Sequence, residues 1–448
     1  MKLQGDPDML TRPLRPVALG AAFVLAACSA GGSPDPLAGF GPDPKLPPPS
    51  QALAPQIAIA KPVGWTGSEA PRAPEGFEVT RFAGALAHPR WLLVLPNGDV
   101  LVAESSSEKK GKPGFRDHVA NLLMGQAGAI QRTSPNRITL LRDADGDGLA
   151  ELQTAFAENI RRPFGMTLVG DSLYVAQDDG IVRLPYKAGD TKVSGPPERV
   201  FDLPAGRNHH WTKNVFASPD GKTLYATVGS NSNIGENGMA EEEGRAAIWA
   251  IDPVAKTGRL FATGLRNPNG LDFEPVTGAL WTTVNERDEL GPDLVPDYMT
   301  SVRDGGFYGW PYSYFGQIVD ERVQPQRPDL VAKALKPDYA LGSHTASLGL
   351  AFYKAEAFPE KYRGGAFVGQ HGSWNRKPFN GYRVVFVPFA GGKPSGPPEV
   401  FLDGFLTGDG KTRGRPVGVA VDSKGALLVA DDSGKAVWRI APKAPKAP

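Results

Sequence analysis

Apolar positions along this chain recur in short alternating runs instead of helical stripes, and the runs come in pairs. Each pair begins at a turn rich in Pro or Gly, continues as an apolar strand, reverses at a tight polar turn and returns as a second apolar strand. The pairs are 89–94 with 96–102, 163–168 with 170–175, 213–217 with 219–225, 265–273 with 278–281, 347–352 with 364–368, and 416–421 with 425–429. Strands joined by Asn-Gly and Asp-Gly turns are hairpins, and hairpins recurring at intervals of roughly fifty to ninety residues predict propeller blades carrying insertions. Six such units predict an all-β fold, a six-bladed β-propeller, and exceed what one sandwich needs. Further apolar stretches at 138–141, 247–251 and 382–387 supply outer strands for three blades. The stretch 77–82 completes the last blade beside 437–440, which closes the ring and leaves no sheet edge free at the seam.

Composition narrows the reading. A 448-residue chain with net charge +1 has no basic field and no run of Lys or Arg that would track phosphates, so no nucleic acid is expected as a partner. Its only cysteine, Cys28, ends an apolar run over 17–28 that follows Arg12 and Arg15. This is the pattern of a signal peptide, too short for a permanent membrane span. Leu25-Ala26-Ala27-Cys28 resembles the lipobox of bacterial lipoproteins, which implies cleavage before Cys28, lipidation of that residue and a place on the periplasmic side of the envelope. The expected order is therefore a signal peptide over 1–27, a Pro-, Gly- and Ala-rich tether over 28–74, the propeller over 75–441 and a tail over 442–448.

Loops from all blades ring one end of a propeller channel, so residues that share a chemistry are scattered in sequence yet share a place in the repeat. Four groups break the turn pattern with polar side chains: Asn208-His209-His210-Trp211, Arg266-Asn267, Asn375-Arg376-Lys377 and Arg413-Gly414-Arg415. Cationic groups converging in a channel suit an anion with several carboxylates, because arginine makes forked, charge-assisted hydrogen bonds to them. A histidine among them is a candidate general base; His209 and His210 both qualify, and the spacing to Pro219-Asp220-Gly221 favours His210. His344 and His371 sit where strands of a blade meet the channel, and either lines the site or serves the fold; His88 and His118 offer no such argument.

In order along the chain stand His210, the run 215–221, Gly264-Leu265-Arg266-Asn267-Pro268-Asn269-Gly270-Leu271, Gly291-Pro292, Tyr308-Gly309-Trp310-Pro311 and Arg413-Gly414-Arg415. That ordered set resembles the soluble pyrroloquinoline-quinone (PQQ)-dependent sugar dehydrogenases, in their sorbosone and aldose sugar dehydrogenase branch, over nearly the whole propeller. The resemblance implies a PQQ- and calcium-dependent oxidation of a sugar, sugar alcohol or aldose-type aldehyde, with an external electron acceptor. It implies His210 as the base that takes the substrate hydroxyl proton while hydride passes to the quinone. It implies Arg266 and Asn267 as the pair that stabilises the quinone oxygen, as an oxyanion hole does. The carbonyls of Gly291 and Pro292 are implied ligands of calcium, with Asp288, Glu289 and Asp293 open as substitutes. Arg413 and Arg415 are implied carboxylate clamps, Arg376 or Lys377 a third, and Trp310 and Tyr308 walls of the cofactor or sugar face. Ser230 stands where the family commonly has Asp, a departure that bears on specificity.

The loop Asp143-Ala144-Asp145-Gly146-Asp147-Gly148-Leu149-Ala150-Glu151 is a separate signal. Oxygens of Asp143, Asp145, Asp147 and Glu151 suit a structural calcium ion, although Thr154 stands where an EF-hand requires its glutamate. Two other functions fit a propeller: a calcium-dependent lactonase, which needs a carboxylate-lined channel, and a binding propeller without chemistry. No Gly-x-Gly-x-x-Gly opens a βαβ unit, so a nicotinamide fingerprint does not compete.

Overall fold

The computed structural model of the chain describes residues 39–50, 57–108, 130–131 and 133–443. Cys28, the signal sequence before it, His118 and the end of the tail lie outside the described residues. Among the described residues, six sheets of four or five strands, antiparallel except for the parallel fifth strand Gly306–Phe307 of one of them, form the blades of the expected propeller. Their inner strands are Pro89–Val94, Met166–Val169, Val215–Ala217, Pro268–Phe273, Ser347–Phe352 and Pro416–Val421, and each touches the next around a closed ring. They give blades 1 to 6 in chain order. The stretches expected as outer strands are the third strands of blades 1, 3 and 5, at Arg137–Arg142, Ala247–Asp252 and Arg383–Val387.

Blade 6 closes the ring with strands from the two ends of the fold. Phe77–Ala83 pairs with Ala436–Pro442, with Val79 opposite Ile440 and Arg81 opposite Trp438. Apolar side chains between adjacent blades make the core. Between blades 5 and 6, Phe367 is fully buried with its ring centroid 4.6 Å from Phe401 and 5.0 Å from Phe386. Truncating such a ring to alanine costs about 3–5 kcal/mol.

The pairing register fixes where chemistry can gather. In each blade the start of the inner strand lies beside the end of the second strand: Pro89 opposite Glu104, Pro268 opposite Val284, Ser347 opposite Gln370 and Pro416 opposite Asp431. Residues at these two positions from every blade therefore ring one end of the channel.

Part of the segment expected as a tether is laid on the propeller. Phe40–Gly41 adds a fifth strand to blade 4 beside Tyr339–Ser343, the Ser50 amide donates to the Leu290 carbonyl at 2.9 Å, and residues 57–74 run along blades 5 and 6. Proline-rich chain lacks the periodicity that reveals a packed element, but single hydrogen bonds and isolated rings still dock it.

Candidate active site

The second strand of blade 3 ends at Val228, and the chain then passes Gly229 into Ser230 beside the start of blade 4. The approach is close enough that a Cβ at Gly229 would lie 2.4 Å from Asn267 Oδ1 and 2.6 Å from His210 Cβ. His210 and Asn267 thus face each other across a residue that must lack a side chain. His210 Nδ1 lies 2.9 Å from the Ser230 carbonyl oxygen and 3.0 Å from its hydroxyl. A carbonyl only accepts, so Nδ1 carries the proton and Nε2 keeps its lone pair. Dense surroundings, then the positive Arg266 and the neighbouring His209, hold His210 well below the ordinary imidazole range, so it is neutral and ready to accept a proton at pH 7.

Arg266 is 3% exposed and held from several sides. Its guanidinium donates to the Glu286 carbonyl at 2.6 Å, to Asn233 Oδ1 at 2.9 Å and to Asp288 Oδ2 at 3.3 Å. Asn233 also accepts the Trp310 indole N–H at 2.9 Å on its carbonyl, which puts Trp310 against the same group. Asp288 in turn accepts from Asn375 Nδ2 at 2.7 Å. Burial alone would push the Asp288 carboxyl up, but a hydrogen bond from His344 and the charge of Arg266 hold it at about 2. His344 Nε2 reaches the Gly291 carbonyl at 2.9 Å. Behind this layer, burial pushes Glu286 up to about 7 and Asp297 up to about 6.

A second cluster forms where blades 1, 5 and 6 meet. Asp432 Oδ2 accepts from Arg90 and from His371 Nε2, the latter at 2.8 Å, with His88 Nε2 at 3.6 Å. Three cationic or basic groups, reinforced for Arg90 and His371 by hydrogen bonds, hold the buried Asp432 carboxyl well below its usual range, whereas burial brings His371 down to about 4. Arg415, 4% exposed, donates to the Tyr382 hydroxyl at 3.2 Å and lies over its ring. Within this cluster Arg90 Nε, Arg415 Nε, His88 Nε2 and Asp432 Oδ1 are buried without hydrogen-bond partners. Buried polar atoms left unsatisfied are expensive, and their gathering in a channel marks a place for a polar ligand.

The other residues singled out in the sequence fall elsewhere. Arg376 pairs with Asp293 at 3.1 Å beside the Gly291-Pro292 turn, and Lys377 is exposed. Arg413 pairs with Glu69 at 2.9 Å instead of turning inward with Arg415. The Tyr308 hydroxyl donates to the Ser301 carbonyl at 2.6 Å inside the core of blade 4 and does not wall the channel. Arg90, Asp432 and Asn233 were not singled out by the sequence; the signal for Arg90 is a charged residue within an otherwise apolar inner strand. Asp143, Asp145, Asp147 and Glu151 converge, each offering an oxygen within 4.8 Å of the others, and the Lys424 ammonium reaches the Gly146 carbonyl at 2.6 Å and Asp143 at 3.3 Å.

The residues present fit both groups that the sequence implies. Unsatisfied Arg90 and Arg415 nitrogens suit the carboxylates of a quinone, and Asn267 Oδ1 and Asn375 Oδ1 are buried acceptors without partners. Asp288, Asn375 and the Gly291 carbonyl form a set of hard oxygen donors suited to calcium, the Gly291 oxygen retaining a second lone pair beyond its bond to His344.

Fold and site together define a six-bladed propeller with a histidine and a cation-lined receptor at one end of its channel. The chain belongs to the family described as domain of unknown function DUF7133, whose model matches residues 71–373, and a TrAA12-like model matches residues 323–443. It is 23% identical over 355 residues to a pyrroloquinoline quinone-dependent pyranose dehydrogenase of Coprinopsis cinerea, covering 70% of this chain and 44% of that protein. The holo PQQ domain of pyranose dehydrogenase from the same organism superposes with a TM-score of 0.67 at 21% identity, covering 86% of this chain and all of the domain. The calcium structure of a Trichoderma reesei carbohydrate-active enzyme of family AA12 gives the same score at 18% identity, covering 87% of this chain and 99% of that one.

Proposed function

We propose that this protein is a PQQ-dependent oxidoreductase acting on a sugar of the pyranose or aldose class, with sorbosone-type aldehydes among its substrates. The observation that carries the reading is the meeting of His210 with Asn267 across Gly229, next to Arg266, in a channel that also holds the partnerless Nε atoms of Arg90 and Arg415. The likeness to the PQQ domain of the pyranose dehydrogenase supports it.

In this reading Arg90 and Arg415 bind the quinone's carboxylates, with His371 bracing Asp432 behind them, and Arg266 and the Asn267 amide N–H bind the oxygen that gains charge as substrate is oxidised. Donors fixed before the reaction stabilise that charge without reorganising. His210 removes the substrate hydroxyl proton at Nε2 while its Nδ1–H stays anchored on Ser230. The bound quinone supplies the two-electron acceptor, and an external acceptor takes the electrons onward. Gly291 and Pro292, with Asp288 beside them, would hold calcium. The lipobox-like sequence ending at Cys28 supports a lipid-anchored protein on the periplasmic side of the envelope.

The test is dye reduction by purified protein reconstituted with PQQ and calcium, across aldoses, polyols and sorbosone. Turnover that vanishes without the quinone or with a chelator is the expected result. Failure to bind the quinone would overturn the reading in favour of a propeller that only binds its ligand.

A further inference from the structure

Residues 57–74 lie along the end of the propeller at a chain of defined contacts. The Ala58 amide donates to the Trp374 carbonyl at 2.8 Å, the Val63 amide to the Thr412 carbonyl at 2.8 Å, the Thr412 amide to the Lys61 carbonyl at 2.9 Å, and Arg72 and Asp403 bond reciprocally at 2.7 and 2.9 Å. Midway, the Trp65 indole N–H donates to Asp431 Oδ2 at 2.7 Å. Its ring packs 5.1 Å from Trp438 and 5.5 Å from Phe405.

Asp431 is fully buried and shared. Its Oδ1 accepts the backbone amides of Arg415 at 2.7 Å and Gly434 at 2.8 Å, and its Oδ2 also takes the Trp438 indole at 3.1 Å. The surroundings are built for it: a Cβ at Gly414 or at Gly434 would lie 2.1 Å from Oδ2. The residue whose amide Asp431 fixes is the one whose guanidinium lines the channel, and the next residue along, Asp432, holds Arg90 and His371.

We infer that residues 57–74 form a positioning strap: Trp65 locks Asp431, and Asp431 fixes the main chain that aims Arg415 and Asp432 into the channel. Trp65 and Asp431 touch no ligand in this scheme; they are positioning residues. That the ligand so served is a quinone rests on the function proposed above, whereas the positioning itself does not.

The experiment compares wild type with Trp65→Phe, which keeps an aromatic ring against Phe405 and Trp438 but removes the N–H, and with Arg72→Ala at the exposed Arg72–Asp403 pair as a control. Hydrogen–deuterium exchange is read on the ligand-free protein, and PQQ affinity by absorbance titration. In Trp65→Phe the peptide covering 413–417 exchanges about tenfold faster while blades 2 and 3 are unchanged, and PQQ binds about tenfold more weakly; Arg72→Ala matches wild type. Unchanged exchange at 413–417 overturns the inference. So does acceleration spread evenly over all blades, or local acceleration with undiminished affinity. Wild type that takes up no quinone, with local acceleration in the variant, upholds the positioning and sinks the proposed function instead.

Discussion

His210 donates its Nδ1–H to the main-chain carbonyl of Ser230 at 2.9 Å, so the tautomer of the proposed base is set by backbone. The ring is held by a neutral main-chain oxygen that no side-chain substitution removes. Ser230→Ala is therefore expected to lower turnover by less than about tenfold, while His210→Ala lowers it by about 10²–10⁴ with PQQ affinity nearly kept. Steady-state kinetics beside a PQQ titration checks both, and undiminished turnover in His210→Ala would sink the assignment.

Turnover should persist into mildly acidic solution. Burial first, then Arg266 and His209, hold His210 well below 6.5, so the neutral, proton-accepting form persists as pH falls past that value. The acid limb of kcat/KM is expected below pH 6.5, and removal of a nearby positive charge in Arg266→Gln should move it upward. A limb at or above 6.5 in wild type would contradict the geometry.

Arg266 joins Asn233, Glu286 and Asp288, so its loss has two effects. Arg266→Lys cannot reproduce a forked set of contacts and is expected to lose about 10²–10³ in kcat. Arg266→Ala should also be less stable, because Asp288 keeps its charge without that partner. Equal activity of Arg266→Lys and wild type would show that Arg266 only braces the loop.

Gly229→Ala tests the meeting of His210 with Asn267. The added methyl would stand 2.4 Å from Asn267 Oδ1 and 2.6 Å from His210 Cβ, so one of them must move. A displacement near 1 Å costs about a hundredfold in turnover. The expected signature is that loss with folding retained, judged by circular dichroism and a cooperative thermal transition.

His371 makes stability depend on pH. Its folded value is brought to about 4 by burial, below the unfolded value of about 6.5, so its stabilising contribution is complete above 6.5 and is lost as pH falls towards 4. Between pH 7 and pH 5 wild type should lose about 1 to 2 kcal/mol on this account, a loss absent in His371→Gln. Urea unfolding at the two pH values measures it.

The sequence revealed the blades because each inner strand must alternate and each hairpin must turn, and both demands leave residues such as Asn97-Gly98 and Asp220-Gly221 in place. It revealed the closing of blade 6 for the same reason. The site was harder to read. His210, Arg266 and Asn267 stood out because they break a turn pattern, but Arg90 and Asp432 come from blades 1 and 6 and meet only once the ring is closed. Arg376 and Arg413 carry the expected charge at the expected place in the repeat, yet Asp293 and Glu69 take them. Which of two neighbouring cations turns inward is decided by the twist of a loop, and no residue type encodes it. Trp65 gave no periodic signal because it acts alone.

The pairing of Phe77–Ala83 with Ala436–Pro442 sets a condition on how this protein is made. Phe77–Ala83 is made hundreds of residues before its partner, and until the two meet it offers a naked edge to any other unpaired strand. A chain that ends within blade 6 lacks the strand that closes the ring and keeps that edge open to foreign strands.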